Sequence, residues 1–332
     1  MSSHRDITPE PVIDHIIFCD ASGLGWGAHD DCTTINGRWS DYESGMHINS
    51  LELLAIQLAL FSFAISLKGK KHVRVMSDNA TAIAYINKKG GVKSMVCNDI
   101  AKVIWGFCME NNFHISAAHI PGKHNILADL AFQKFQDASE WMLNSKVFGY
   151  LTKGFGMPEL DLFASRLNKQ IPTYVSWLPD PGSVAIDAMT IPWSGHYVYC
   201  FPPFSMMWPT IKKIERESDK ALVICPCWPT QTWFARLLQL AIAPPIEISS
   251  RHLHLPGIRD RQLHPLAPKL RLLAVLCSRK VCAQNSFRLK HSTYLSQRGA
   301  ITHNRNIAAL ERDGKGFVVL GTWIPLEQLP QM

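Results

Sequence analysis

The chain has 332 residues, of which 47% are hydrophobic and 10% aromatic, so it is long enough for two ordinary domains and too apolar to be wholly disordered. Polar residues interrupt the apolar stretches, and neither a membrane span nor a secretory signal is predicted. The net charge of +7 comes from the C-terminal end, where residues 248–332 hold 13 Lys and Arg against 4 Asp and Glu. A basic segment of this kind suits phosphate backbones, although many such segments are merely solvated.

The nine cysteines are odd in number and scattered through apolar stretches. This usage favours reduced, buried thiols over a disulfide framework. The sequence therefore predicts a protein of the nucleus or cytoplasm.

The first part of the chain alternates between the periodicities of strands and helices. Ser50 is a candidate N-cap for the longest helix. The predicted order is three strands, a helix, a strand, two helices, a strand and a last helix, at residues 12–19, 26–29, 37–40, 51–67, 72–76, 79–87, 94–110, 113–119 and 125–135. This order predicts a mixed α/β domain over residues 10–136, in which helices pack on the faces of one sheet.

The second part is less regular. A glycine-rich linker is predicted at residues 137–158, followed by a second, smaller α/β domain at 159–256. Its strands are expected near 197–201 and 221–225, and its helices near 206–217 and 232–241. Residues 257–332 are expected to be a basic, partly disordered region with one short apolar helix around 270–277.

Four carboxylates occupy the strand ends and helix starts of the first domain: Asp20, Glu52, Asp78 and Asp129. Such ends crowd together at one edge of a sheet, where ligand sites tend to lie. Carboxylates in one cleft repel each other unless cations neutralise them. An all-oxygen donor set selects Mg²⁺ or Mn²⁺, and two such ions would suit the hydrolysis of a phosphodiester.

Each acid also has an ordinary structural interpretation when it is taken alone. Asp20 and Asp78 could be turn residues at strand ends. Glu52 could complement a helix dipole, and Asp129 could be a solvated helix residue.

The residues that flank the four acids resemble one protein family, so the four acids are interpreted together. The strings FCDASGLGWGA (18–28), INSLELLAI (48–56), VMSDNATAIAYINKKGG (75–91) and HIPGKHNILADLAF (119–132) resemble the ribonuclease H domain of retroelement polymerases. The likeness is greatest to the tyrosine-recombinase retrotransposons of the DIRS group. It implies a ribonuclease H-like fold and two magnesium ions held by the four acids. It also implies cleavage of the RNA strand of an RNA–DNA hybrid, with a reverse transcriptase as a possible partner.

The resemblance extends to residues around the acids. It implies contacts to the nucleic-acid backbone by Asn79 and Thr81, although Asn79 could equally cap the helix that it opens. The loop before Asp129 often assists proton transfer or product release in that family, and His124 is the better candidate for this role, although a lone histidine in a loop is more often structural. Further expected nucleic-acid contacts are Lys88, Lys89, Lys93 and Asn125; the lysines flank Gly90-Gly91 and could instead form a solvated turn. The family's Ser-Arg pair after the last acid is replaced by Phe132-Gln133.

The second domain resembles the DNA adenine methyltransferases that follow ribonuclease H in DIRS-type elements. The resemblance rests on Glu159-Leu160-Asp161-Leu162-Phe163 and on Tyr199-Cys200-Phe201-Pro202-Pro203-Phe204. Such methyltransferases place Asp or Asn where this chain has Phe201, and Phe cannot accept the amine's hydrogen bond. Methyl transfer is therefore not expected, and Pro202-Pro203-Phe204 could equally be a rigid turn that ends a buried strand. Asp161 and Asp187 remain open as cofactor or turn residues.

The sequence thus predicts a retrotransposon-derived ribonuclease H joined to an inactive methyltransferase-like domain. The alternative is a catalytically inactive module that still binds nucleic acid. The cysteines of Cys225-Pro226-Cys227 are too close together for a usual zinc pair. The alternating imidazoles of Arg251-His252-Leu253-His254 could ligate a metal, although an exposed edge strand is favoured.

Overall fold

A computed structural model describes residues 12–125, 140–257, 264–267, 269–291, 314–319 and 322–330. The chain divides into two compact units. The first comprises Met1–Phe135 with Pro179–Gly182, and the second comprises Gln136–Leu178 with Ser183–Met332. Both units contain a sheet flanked by helices, which confirms the predicted α/β class.

The first unit is built on a five-stranded mixed sheet. Its elements are β1 (His15–Ala21), β2 (Gly25–His29), β3 (Thr34–Arg38), α1 (Ile48–Ser62), β4 (His72–Ser77), α2 (Ala80–Asn87), α3 (Met95–Glu110) and β5 (His114–His119). The strand order is β3-β2-β1-β4-β5. The first three strands form an antiparallel meander, whereas β1, β4 and β5 run parallel because helices connect them.

Helix α1 is the centre of this unit's core. It packs on β1 and β2, and most of its side chains are buried on every side. Together with the short turn that follows, Ile48–Ile65 is long and apolar enough to cross a membrane by composition, with a mean hydropathy of 1.7. No membrane span is expected from the sequence. Two thirds of it is buried inside the unit, as expected for the core helix of a packed domain.

The start of α1 differs from the prediction. The helix begins at Ile48, and His47 caps it by accepting a hydrogen bond from the Asn49 backbone at 3.2 Å. Ser50, the predicted N-cap, is buried inside the helix, where its hydroxyl lies 3.3 Å from the Cys97 sulfur. Sequence preference favoured a serine because a hydroxyl is the commoner capping group.

The second unit has a six-stranded sheet in the order β17-β12-β14-β11-β10-β7. Its elements are β6 (Met142–Leu143), α4 (Ser145–Phe155), β7 (Leu160–Asp161), β8 (Val175–Ser176), β9 (Ala185–Ile186), β10 (Tyr197–Cys200), α5 (Met207–Glu217), β11 (Lys220–Pro226), α6 (Thr232–Gln239), β12 (Ile246–Ser249), β13 (Leu253–His254), β14 (Arg271–Cys277), α7 (Val281–His291), β15 (Gly316–Val319), β16 (Thr322–Pro325) and β17 (Glu327–Gln328). Strands β7, β10 and β11 are parallel, and β14 runs antiparallel between β11 and β12.

Two predictions for the second unit were wrong. The expected linker at 137–158 contains β6 and the amphipathic helix α4, whose apolar residues belong to the second unit's core. The expected short helix at 270–277 is β14, whose residues from Leu272 to Cys277 are all buried. A short apolar run has no periodicity that separates a buried strand from a buried helix. The structure also extends order into the region that was expected to be partly disordered.

The burial of α1 predicts a large cost for truncating one of its side chains. Leu60 is fully buried, so Leu60→Ala should lower the opening free energy of the first unit by about 2–5 kcal/mol. Hydrogen exchange of the full-length chain, followed by mass spectrometry of β1 and β4 peptides, measures this change. Ile65→Ala, at a position that is 56% exposed, should change it by less than about 0.5 kcal/mol. Equal effects of the two substitutions would contradict the packing described.

Candidate metal centre

Strand register brings two of the predicted acids together. In the parallel pair of β1 and β4, Phe18 lies opposite Met76. Asp20 and Asp78 each follow two residues later, so the alternation of side chains places them on the same face of neighbouring strands. Asp20 also lies opposite Gly27 of β2, which has no side chain to occupy the space beside it.

The third acid comes from the helix that covers the sheet. Glu52 lies on the second turn of α1, and its neighbours Leu51 and Leu53 belong to the core. Its charged side chain is nevertheless only 6% exposed. One carboxylate oxygen each from Asp20, Glu52 and Asp78 lies within 4.8 Å of the others. Asp20 is partly buried and Asp78 is exposed, so the cluster extends from the core to the surface. It can therefore hold a ligand that enters from solvent.

The electrostatics of the cluster are unfavourable when no cation is bound. Burial, together with the charges of Asp20 and then Asp78, raises the pKa of Glu52 from 4.5 to about 8. Burial and the same acidic neighbourhood raise the pKa of the Cys19 thiol well above its ordinary value. A buried carboxylate beside two others costs free energy unless a cation or a proton neutralises it. This arrangement is typical of a metal site.

A short loop after β5 passes directly over Asp78. An added Cβ at Gly122 would lie 2.9 Å from the Asp78 Oδ2 atom, so a side chain at this position would crowd the carboxylate. Residues 122–124 form a single turn there, and its last residue is His124. Asp129, the fourth predicted acid, lies outside the described residues, and its place relative to the cluster stays a prediction.

Asn79 has the capping role that the sequence allowed. Its side-chain oxygen accepts hydrogen bonds from the backbone N–H groups of Thr81 and Ala82 at 3.0 Å each, which opens α2. Its amide group donates to the Asn49 side-chain oxygen, also at 3.0 Å. Asn49 was not singled out in the sequence, because its bond partner lies 30 residues away. One sequence pattern could have indicated a role for Asn49: it lies three residues before Glu52, and residues at this spacing share one side of a helix.

Side-chain hydrogen bonds hold the basic loop around Gly90-Gly91. The Gly91 backbone donates to the Asn98 side chain, and the Ser94 backbone donates to the Tyr85 hydroxyl. The Lys89 ammonium lies 5.0 Å from the centre of the Trp105 ring. Lys88 and Lys93 are exposed, so the structure leaves both able to meet a phosphate.

The remaining candidate residues fall into two groups. His124 and His119 are both exposed. His119 lies opposite Ser77 in strand register, one residue from Asp78, which was not evident from the sequence. Asn125 is 1% exposed and donates to the Cys19 carbonyl at 3.0 Å. Its expected contact with nucleic acid therefore does not fit, since the side chain braces the strand that carries Asp20.

The second unit places its motif residues around a small cavity at the carboxyl end of β10. The cavity is lined by Trp141, Phe201, Pro202, Pro203, Phe204, Leu253 and His264. The aromatic rings pack on each other, with the Trp141 and His264 centroids 4.8 Å apart and the Phe204 and Trp228 centroids 5.3 Å apart. The lining is mainly apolar at the position where the resemblance calls for an amide or carboxylate.

Asp161 and Asp187 both bond to backbone N–H groups of nearby loops. Asp161 is buried and accepts from the Gln170 backbone at 2.9 Å, and burial raises its pKa to about 7. Asp187 has a left-handed backbone and accepts from the Met189 backbone. These bonds fit the turn-residue alternative. Among the described residues, the acids of the first unit are the one His, Cys, Asp and Glu cluster with metal-site spacing, so Cys225 and Cys227 are not part of one.

Comparison with known proteins gives a partial likeness. No protein-family model matches the sequence, and no curated protein matches it. Among solved structures, the chain is similar to RNase H1 from Halobacterium salinarum, with 14% identity, 35% of this chain and 92% of that chain covered, and a TM-score of 0.28. LC11-RNase H1 in complex with an RNA/DNA hybrid has 18% identity, the same coverages and a TM-score of 0.28. An N-terminal RNase H domain from Mycobacterium tuberculosis has 17% identity, coverages of 35% and 94%, and a TM-score of 0.27. A likeness of this size does not by itself decide an activity.

The raised pKa of Glu52 predicts how stability depends on pH in the metal-free protein. Between pH 4.5 and about 8 the folded state holds a proton that the unfolded state has lost, so stability falls as the pH rises through this window. The slope approaches 1.4 kcal/mol per pH unit at most. Mg²⁺ should therefore stabilise the first unit more at pH 8.5 than at pH 5.5, because at the lower pH it competes with this proton.

Urea unfolding between pH 5 and 9, followed by pulsed hydrogen exchange of first-unit peptides, checks this dependence. Glu52→Gln should flatten the pH profile and abolish the extra stabilisation by Mg²⁺. Glu110→Gln makes the same chemical change at an exposed position at the end of α3 and should leave both unchanged. A Glu52→Gln profile that follows the unsubstituted chain would show that this carboxyl is not the titrating group.

Proposed function

We propose that the first unit is a metal-dependent phosphodiester hydrolase that cuts the RNA strand of an RNA–DNA hybrid. The observation that carries the proposal is the convergence of Asp20, Glu52 and Asp78, with their ligand oxygens within 4.8 Å of one another and one of the acids buried in the core. A structural role does not explain three mutually repelling carboxylates at this spacing.

The donor set fits a hard divalent cation. It consists of carboxylate oxygens only, which suits Mg²⁺ or Mn²⁺ better than Zn²⁺. Two such ions, when bound, would activate a water molecule and stabilise the leaving oxygen of a phosphodiester. Asp129 is proposed as the fourth ligand from the sequence motif.

The chain's own residues have separable tasks. Asp20 and Asp78 present charge from adjacent strand ends, and Glu52 must release its proton before its charge is available. Gly122 leaves room for the Asp78 carboxylate. His124, with His119 as a second candidate, would move a proton at the leaving oxygen. Both are exposed; His119 lies opposite Ser77, one residue from Asp78, and His124 ends the turn that begins at Gly122.

The choice of an RNA–DNA hybrid rests on the four sequence motifs and on the exposed lysines. Lys88 and Lys93 offer charge to phosphates, and the half-buried Thr81 lies on the first turn of α2. A preference for RNA would come from contacts to the 2′ hydroxyl. The motifs also support an origin in a DIRS-type retrotransposon, and a reverse transcriptase is proposed as a partner.

The second unit is proposed as a methyltransferase-like module without methyl transfer activity. In support, the Pro202-Pro203-Phe204 motif follows β10, which lies between two parallel neighbours, and open α/β sheets bind ligands at such strand ends. Phe201 offers no side-chain oxygen to a target amine. A binding or positioning role on nucleic acid remains for this module.

The proposed reaction predicts a strict dependence on Asp78. The full-length chain with Mg²⁺ should cut labelled RNA within an RNA–DNA duplex, and Asp78→Asn should slow cutting about a thousandfold. The loss corresponds to several kcal/mol of electrostatic stabilisation in the transition state. Single-turnover cleavage of the duplex, with DNA duplex and single-stranded RNA alongside, provides the measurement.

Asp99→Asn is the matched control, because it removes one charge from an exposed aspartate on α3. This variant should cut within twofold of the unsubstituted chain. Cutting that survives in Asp78→Asn, or in the presence of a chelator, would argue against the assignment. Binding of the hybrid without any cutting by the unsubstituted chain would favour the inactive binding module.

A further inference from the structure

One hydrogen bond joins two of the elements that carry acids. The Asn79 side-chain nitrogen donates to the Asn49 side-chain oxygen at 3.0 Å. Asn79 directly follows Asp78, and Asn49 lies in the first turn of α1, three residues before Glu52. Residues three apart on a helix lie on the same side. The bond therefore connects α1 to the end of β4, beside Glu52 on one element and Asp78 on the other.

The direction of this bond is fixed by the cap. The Asn79 oxygen already accepts from the backbone N–H groups of Thr81 and Ala82, which have no helical acceptor at the start of α2. The amide nitrogen of Asn79 must therefore point away from α2, where it meets Asn49. Asn49 in turn is not needed to cap its own helix, because His47 does so. Its side chain is available for the cross-connection.

Such a connection opposes a definite force. Carboxylate oxygens of Glu52 and Asp78 lie within 4.8 Å of each other, and like charges at this spacing repel, which favours separation of the start of α1 from the end of β4. A partly buried hydrogen bond between the two elements resists this separation. It would also keep the carboxylates at their spacing before a cation arrives, which reduces the reorganisation that binding requires.

We propose that Asn79 and Asn49 are positioning residues, which hold Glu52 and Asp78 at the separation that a shared divalent cation needs. This inference rests on the proposed metal-dependent function, and it assigns a role to Asn79 other than contact with nucleic acid. The two roles make different predictions. A positioning role acts on metal affinity, whereas a contact role acts on the affinity for the duplex.

The test is a double-mutant cycle on the full-length chain. Asn79→Ser keeps a capping oxygen but is too short to reach Asn49, and Asn49→Ala removes the acceptor. Mn²⁺ binding, measured by calorimetry and electron paramagnetic resonance, should weaken about tenfold in each single variant, as for other residues that orient metal ligands. The double variant should be no weaker than the weaker single variant, because the same bond is lost. The KM for the hybrid should be unchanged, while the Mg²⁺ concentration for half-maximal cutting rises.

The control is Asn111→Ala, an exposed asparagine whose side chain donates to the Phe107 carbonyl of the preceding helix turn. It should leave Mn²⁺ binding unchanged. Losses that multiply in the double variant, or a raised KM with unaltered Mn²⁺ binding, would overturn the inference. If Asn79→Ser fails to fold, Asn49→Ala decides alone, since its helix keeps its cap.

These measurements distinguish a failure of the positioning role from a failure of the proposed nuclease activity. Coupled losses of Mn²⁺ binding in a chain that cuts no hybrid would support the positioning role and overturn the nuclease. Cutting by the unsubstituted chain, with Mn²⁺ binding unaffected in Asn49→Ala, would overturn the positioning role alone. An unsubstituted chain that binds no Mn²⁺ would overturn both.

Discussion

Mutual repulsion among three carboxylates is the constraint on which the first unit depends. Glu52 lies on a helix that is otherwise core, and burial beside Asp20 and Asp78 raises its pKa to about 8. Without a counter-ion the cluster lowers the stability of the fold that creates it. Divalent cations at the proposed site would neutralise the acids, so stability and the proposed chemistry would share one electrostatic origin.

The rest of the unit holds this cluster from several directions. The register of β1 and β4 aligns two acids, and the packing of α1 on the sheet brings the third. Asn125 braces the strand before Asp20 by donating to the Cys19 carbonyl. The Asn125 side-chain oxygen is buried without a partner among the described residues. Burying this acceptor costs desolvation free energy, so the support of β1 by Asn125 has a cost in stability. Supports of this kind are expected where a fold must hold like charges together.

Sequence patterns predicted the first unit well because its signals are local. Period-two and period-3.6 patterns located β1, β4, α2 and α3 to within a few residues, and the acids stood in recognisable strings. The patterns failed where the deciding partner is distant in sequence. Residues 270–277 form a strand because β11 and β12 pair with them on both sides. The bond between Asn49 and Asn79, like the burial of Asn125, depends on tertiary contacts that no short window contains.

The central claim is that the acids of the first unit form a site for divalent cations. Crystals of the full-length chain soaked in Mn²⁺ test it most directly, through anomalous scattering at the manganese edge. The account predicts anomalous peaks whose ligands include oxygens of Asp20, Glu52 and Asp78 at about 2.0–2.3 Å. Manganese bound only elsewhere, with these carboxylates turned apart or paired to side-chain cations, would contradict it.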